Sequence, residues 1–119
     1  MDQAPIVFPD DENGDVLRRM QRNGDNFSKS RDIDFTVVFA TEGSAQKFAG
    51  YFERLGHRAS VDKSNTAPDL PWDVIVVNHM LLSHSGITQF EETLRHVAAQ
   101  LGGRCDGWGC INQKEVTKL

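Results

Sequence analysis

The sequence is poor in the features that mark whole classes of protein. Its 119 residues include two cysteines, Cys105 and Cys110, whose spacing is neither C-x-x-C nor any other close metal-ligand pair. An odd separation along a strand puts them on opposite faces, which argues against a disulfide. No run approaches the roughly 18 apolar residues of a membrane span, and Met1-Asp2-Gln3-Ala4-Pro5 lacks the basic-then-apolar order of a signal peptide. A cytoplasmic location without membrane contact is the expectation. A basic surplus is missing as well: 13 Lys and Arg stand against 17 Asp and Glu, a net charge of -4. That balance repels a phosphate backbone, so no direct contact with nucleic acid is expected.

Catalytic signatures are equally scarce. There is no Gly-x-Ser-x-Gly elbow, phosphate loop or dinucleotide motif, and Gly102-Gly103 follows a helix where an anion cradle would precede one. His57, His79, His84 and His96 are scattered, without the i,i+4 pairing of a metal helix. The expectation is a protein without metal or cofactor that is not an enzyme.

What is present reads as one small domain. Hydrophobic residues at 39% and charged residues at 25% are average for a globular chain, and this length supports one core. Residues 1–9 carry two prolines and no periodicity and read as a loose lead-in, residues 10–113 as the domain, and 114–119 as a tail. Val16, Leu17 and Met20 form a narrow apolar stripe predicting a helix from about Asp11 to Asn23, with Gly24 as its stop. Ile33 to Phe39 alternates as a strand, and Ala45, Phe48, Ala49, Phe52 and Leu55 share one side of a helix capped by Thr41 or Ser44 and ended by Gly56. His57 to Lys63 reads as a more polar strand. Trp72 to Met80 is apolar at both parities, as in a strand covered on both faces.

After Ser83-His84-Ser85-Gly86, residues 87–101 place Ile87, Phe90, Leu94, Val97, Ala98 and Leu101 on one helical face. A last strand spans about Arg104 to Asn112, with Asp106, Trp108 and Cys110 on one side and Cys105 and Ile111 on the other. Helix followed by β-α-β-β-α-β folds, by right-handed crossovers, into an α+β two-layer sandwich of ferredoxin-like topology. Its antiparallel four-stranded sheet has order 4-1-3-2, and the extra helix lies at the N-terminus.

Two segments stand out as contact surfaces. Asp10, Asp11, Glu12 and Asp15 are an acidic run ahead of Arg18, Arg19 and Arg22, an order that also complements a helix dipole. In Cys105-Asp106-Gly107-Trp108-Gly109-Cys110, a tryptophan between glycines on an edge strand implies a bulge or a close backbone approach. Tryptophan is also a favoured interface anchor, so Asp106, Gly107, Trp108 and Gly109 join the acidic run as candidate partner-binding residues.

At Cys105-Asp106-Gly107-Trp108-Gly109 the chain resembles the RraB family, regulators of ribonuclease E activity, whose domains close with a Tyr-Asp-Gly-Trp-Gly stretch. Asp11-Glu12-Asn13-Gly14-Asp15-Val16-Leu17, the Gly24-Asp25 turn, Val38-Phe39 and the helix from Ala45 to Gly56 with its Phe48-Ala49 pair are similar to that family too. The resemblance implies a ferredoxin-like domain with an added N-terminal helix, and a non-catalytic inhibitor that binds ribonuclease E and alters RNA degradation. The partner expected on this basis is a protein, with the chain itself a monomer or weak homodimer. The alternative is a dimeric ferredoxin-like domain that senses a small ligand, with an enclosed polar pocket near His79 and Asp106 as its mark.

Overall fold

The structure is a computed structural model describing residues 8–64 and 68–110. Its elements follow the expected order: α1 (Glu12–Arg22), β1 (Arg31–Phe39), α2 (Glu42–Arg54), β2 (Arg58–Lys63), β3 (Trp72–Met80), α3 (His84–Ala99) and β4 (Arg104–Cys110). The strands form one antiparallel sheet of order β2-β3-β1-β4, the 4-1-3-2 order that the crossovers predict. Central β1 and β3 are the most apolar strands, and the polar β2 and β4 lie at the edges.

All three helices contribute to one core. Leu17 from α1, Ala45, Phe48, Ala49 and Phe52 from α2, and Ile87, Leu94 and Ala98 from α3 cluster with Ile33, Phe35, Val37, Phe39, Val74 and Val76 of the sheet. A string of rings binds the layers: Phe39 to Phe48 and Phe48 to Phe52 at 5.0 Å, Phe52 to Phe90 at 6.1 Å, and Phe90 to Phe35 at 4.7 Å. Each buried phenylalanine stabilises the fold by about 1.5–3 kcal/mol of transfer free energy, before its tilted ring contacts are added.

Local chemistry sets the boundaries. Asp11, Thr41 and Ser83 cap the helices by accepting the amides of Gly14, Ser44 and Gly86, and Gly24, Gly56 and Gly102 have positive φ just beyond the C-termini. Helix α3 starts at His84 and not at 87: Ser83 is its cap, and the serine-glycine run that reads as loop is its first turn. Leu55, expected on the buried face of α2, caps the C-terminus at 58% exposure.

Among the described residues, helices cover only one face of strand β3. Val74 and Val76 join the core, whereas Ile75 and Val77 lie half-buried on the face the helices leave open. In β4 the simple parity fails. Phe35 pairs with Trp108 but Val37 with Cys105, so β4 holds one more residue than β1 across this step. The extra residue is a bulge at Asp106-Gly107, where Gly107 adopts φ 110°, a conformation costly to residues with a Cβ. Cys105, Trp108 and Cys110 consequently all pack toward the core, and Asp106 no longer shares a side with Trp108.

At the N-terminus, Phe8 is buried against Phe27, and the Arg18 guanidinium donates to the carbonyls of Phe8 and Pro9 at 3.0 and 3.2 Å. The rest of the lead-in, residues 1–7, lies outside the described residues, as do Ile111, Asn112 and the 114–119 tail.

Candidate functional site

The acidic start of α1 and the bulged end of the sheet are far apart in sequence and adjacent in space. Helix α1 lies against α3, and α3 against β4. Trp108 completes the junction. Its Nε1 donates to Asn13 Oδ1 at 2.9 Å, and the Asn13 amide nitrogen donates to Glu91 Oε1 at 2.7 Å and Thr88 Oγ1 at 3.3 Å. One asparagine thereby ties three elements together, with its donor and acceptor atoms both engaged.

This junction forms the wall of an open cleft of about 620 Å³, lined by Asp11, Glu12, Asn13, Val16, Thr88, Glu91, Arg95, Cys105, Asp106, Gly107 and Trp108. Four carboxylates, Asp11, Glu12, Glu91 and Asp106, face a single guanidinium there, that of Arg95. Arg95 is itself ion-paired with Glu92. The cleft is therefore acidic, with a half-buried indole in its wall.

Asp11 is fixed from two sides. The Gly14 amide donates to it at 2.7 Å and His84 Nε2 lies at 2.9 Å. Those two hydrogen bonds, the amide first and His84 second, hold its carboxyl below the ordinary 3.8. Helix α1 can lie close to the lead-in because Gly14 has no side chain: a Cβ there would stand 1.8 Å from the Pro9 carbonyl oxygen.

Of the candidate residues, Asp11, Glu12, Asp106, Gly107 and Trp108 line the cleft. Asp10 and Asp15 turn instead to Arg18, and Gly109 sits opposite Asp34 in the β1–β4 ladder. Sequence reasoning missed Asn13, Thr88, Glu91 and Arg95. Asn13 stood inside the acidic motif without a stated role. Thr88, Glu91 and Arg95 recur at helical spacing on the polar side of α3, a pattern indistinguishable from a solvated face.

The remaining chemistry-bearing groups are distributed elsewhere. Both cysteines are free, and burial pushes both thiols above their ordinary value, which keeps them protonated at neutral pH. No three His, Cys, Asp or Glu residues group as a metal site among the described residues. His79 does not meet Asp106: on the open sheet face its Nδ1 lies 2.8 Å from Asp32 and its Nε2 3.2 Å from the Ser30 hydroxyl. That is the order of a serine-histidine-aspartate relay, but His79 and Asp32 are 63% and 51% exposed and Asp32 is shared with Arg58. In high-dielectric surroundings a developing oxyanion gains little stabilisation, so the arrangement lacks the dry, polarised setting that such chemistry needs.

Among comparisons with known proteins, the family model described as "Regulator of ribonuclease activity B", RraB, matches residues 10–110. No curated protein matches the chain. No helix among the described residues is long and apolar enough to cross a membrane.

Proposed function

The chain belongs to the RraB family, regulators of ribonuclease activity, and from that premise we propose that it inhibits ribonuclease E by protein contact, taking a basic segment of the enzyme into the acidic cleft. The observation that carries this reading is the meeting of Asp11 and Glu12 with Asp106 and Trp108 across one cleft. Carboxylates around an aromatic wall suit arginine or lysine side chains, whose charged heads pair at the rim while their stems pack on the ring. The same carboxylates repel RNA phosphates, so the enzyme and not its substrate is the matching surface.

The N-terminal helix has a definite part in this reading. It supplies two cleft carboxylates and, through Asn13, orients Trp108 and Glu91. The chain contributes no chemistry to RNA cleavage and acts by occupying the enzyme's basic surface, inside the cytoplasm where that enzyme works.

Capture of ribonuclease E by the immobilised chain across a salt series tests the proposal. Binding should be strongest at low salt and fall steeply as salt rises, because the attraction is between charged, solvent-accessible groups. An absence of capture at low salt rules out this partner.

A further inference from the structure

We propose that edge strand β2 is the interface of a two-fold dimer, with β2 of a second copy as its occupant. The two edges of the sheet differ in kind. The β4 edge is interrupted by the Asp106-Gly107 bulge, which twists a strand away from further pairing, whereas β2 pairs with β3 in unbroken register from Arg58 to Lys63. Its outer side carries no strand among the described residues.

The sequence of β2 matches itself in one antiparallel register. Residues opposed across an antiparallel ladder point to the same face, so a two-fold axis must pass through a residue and pair its neighbours symmetrically. With the axis at Ser60, Arg58 of each copy lies opposite Asp62 of the other, Ala59 opposite Val61, and Ser60 opposite Ser60. Symmetry makes two ion pairs. An axis at Ala59 or Val61 sets Ser60 against Arg58 or Asp62 and forms none.

A second observation independently calls for that cation. Asp62 stands directly opposite Asp73 across the β2–β3 ladder, and neither carboxylate has an ion-pair partner among the described residues. Like charges in that relation are unfavourable, and a second copy brings Arg58 to them. Within one copy Arg58 reaches to Asp32, an exposed pair that is weakly held and free to exchange. On the helix side, Ala59 and Val61 already pack against the core, so the joined strands extend one continuous apolar layer.

The inference does not rest on the ribonuclease reading. Strands β2 and β4 are opposite edges, so the dimer leaves both acidic clefts open at its two ends, and the assembly would be bivalent. Sedimentation equilibrium of the full chain across a wide concentration range should show the mass doubling. Arg58→Asp alone and Asp62→Arg alone should each remain single chains, because each sets like charges opposite one another twice. Mixing the two variants should restore the doubled mass, since one is then acidic at both positions and the other basic at both. A wild-type chain that stays single at every concentration overturns the proposal, as do single variants that dimerise like wild type or a mixture that fails to pair. None of these results bears on capture of ribonuclease E.

Discussion

Replacing Asp25 by alanine should be among the most damaging single changes to the fold, because it strands a buried charge. Arg31, the first residue of β1, has a side chain only 2% exposed, and its partner Asp25 is fully buried. The guanidinium donates to Asp25 Oδ2 at 2.9 Å and to the Asn26 carbonyl at 2.8 Å, and its Nη2 is ion-paired with Asp25 Oδ1 at 2.8 Å. Desolvation works against the charge, but the bonds and attraction of Asp25 outweigh it and raise the guanidinium's affinity for its proton. Without Asp25 the cation is left with carbonyls and cannot shed its charge, since arginine does not deprotonate in proteins. Removing one member of a buried pair costs about 3–5 kcal/mol, a large part of the roughly 5–15 kcal/mol that holds a domain together. At roughly 3–6 °C per kcal/mol for a domain of this size, the melting temperature should fall by about 10–30 °C. Urea and thermal unfolding followed by circular dichroism measure both quantities. The double variant Asp25→Ala/Arg31→Met, which removes both charges, should recover most of the loss. A single variant within about 1 kcal/mol of wild type would refute the reasoning, because no buried charge could then have been abandoned.

Gly103→Ala should destabilise by about 1–3 kcal/mol in urea titration, since a Cβ would stand 2.3 Å from the fully buried Phe39 ring. Trp108→Phe and Asn13→Ala should each cost on the order of 1 kcal/mol, with a double variant costing less than their sum, as expected of two ends of one hydrogen bond. The folded-state value of Asp11 lies below 3.8, so its contribution is present above that pH and lost as pH falls through the folded value. Wild type should therefore lose more stability than Asp11→Asn on acidification below about pH 5, and equal losses would show that the carboxylate is unperturbed. Hydrolysis of p-nitrophenyl acetate should proceed equally in wild type and Ser30→Ala; a serine-dependent rate would give the Ser30-His79-Asp32 relay a chemistry denied to it here.

The elements were legible because binary pattern and punctuation agree. Phe48, Ala49 and Phe52 at helical spacing, and the alternation of Ile33, Phe35, Val37 and Phe39, admit few other structures, and glycines mark each helix end. The parity of β4 was not legible, because a bulge shifts every residue beyond it by one and leaves Cys105 on the core side with Trp108. The start of α3 was obscured by Ser85 and Gly86, poor helix formers admitted by a good cap at Ser83. Both halves of the cleft could be read as unusual segments, but their meeting could not, since it depends on α1 docking against α3. The polar residues that complete the cleft, Glu91 and Arg95, carry no local mark of contact. Buried Asp25 likewise looks like an ordinary turn aspartate until β1 brings Arg31 beneath it.

The most direct test of the acidic cleft is a titration of ribonuclease E with the chain, reading the rate of RNA cleavage for three proteins: wild type, the cleft variant Glu12→Lys/Asp106→Lys, and the control Glu53→Lys/Asp69→Lys. The control makes the same change in net charge at exposed positions outside the cleft. Wild type and control should slow cleavage at similar concentrations, while the cleft variant, confirmed as folded by circular dichroism, should leave the rate unchanged. Inhibition by the cleft variant equal to that of wild type would contradict the docking site, and an absence of inhibition by wild type would contradict the regulatory action on this enzyme.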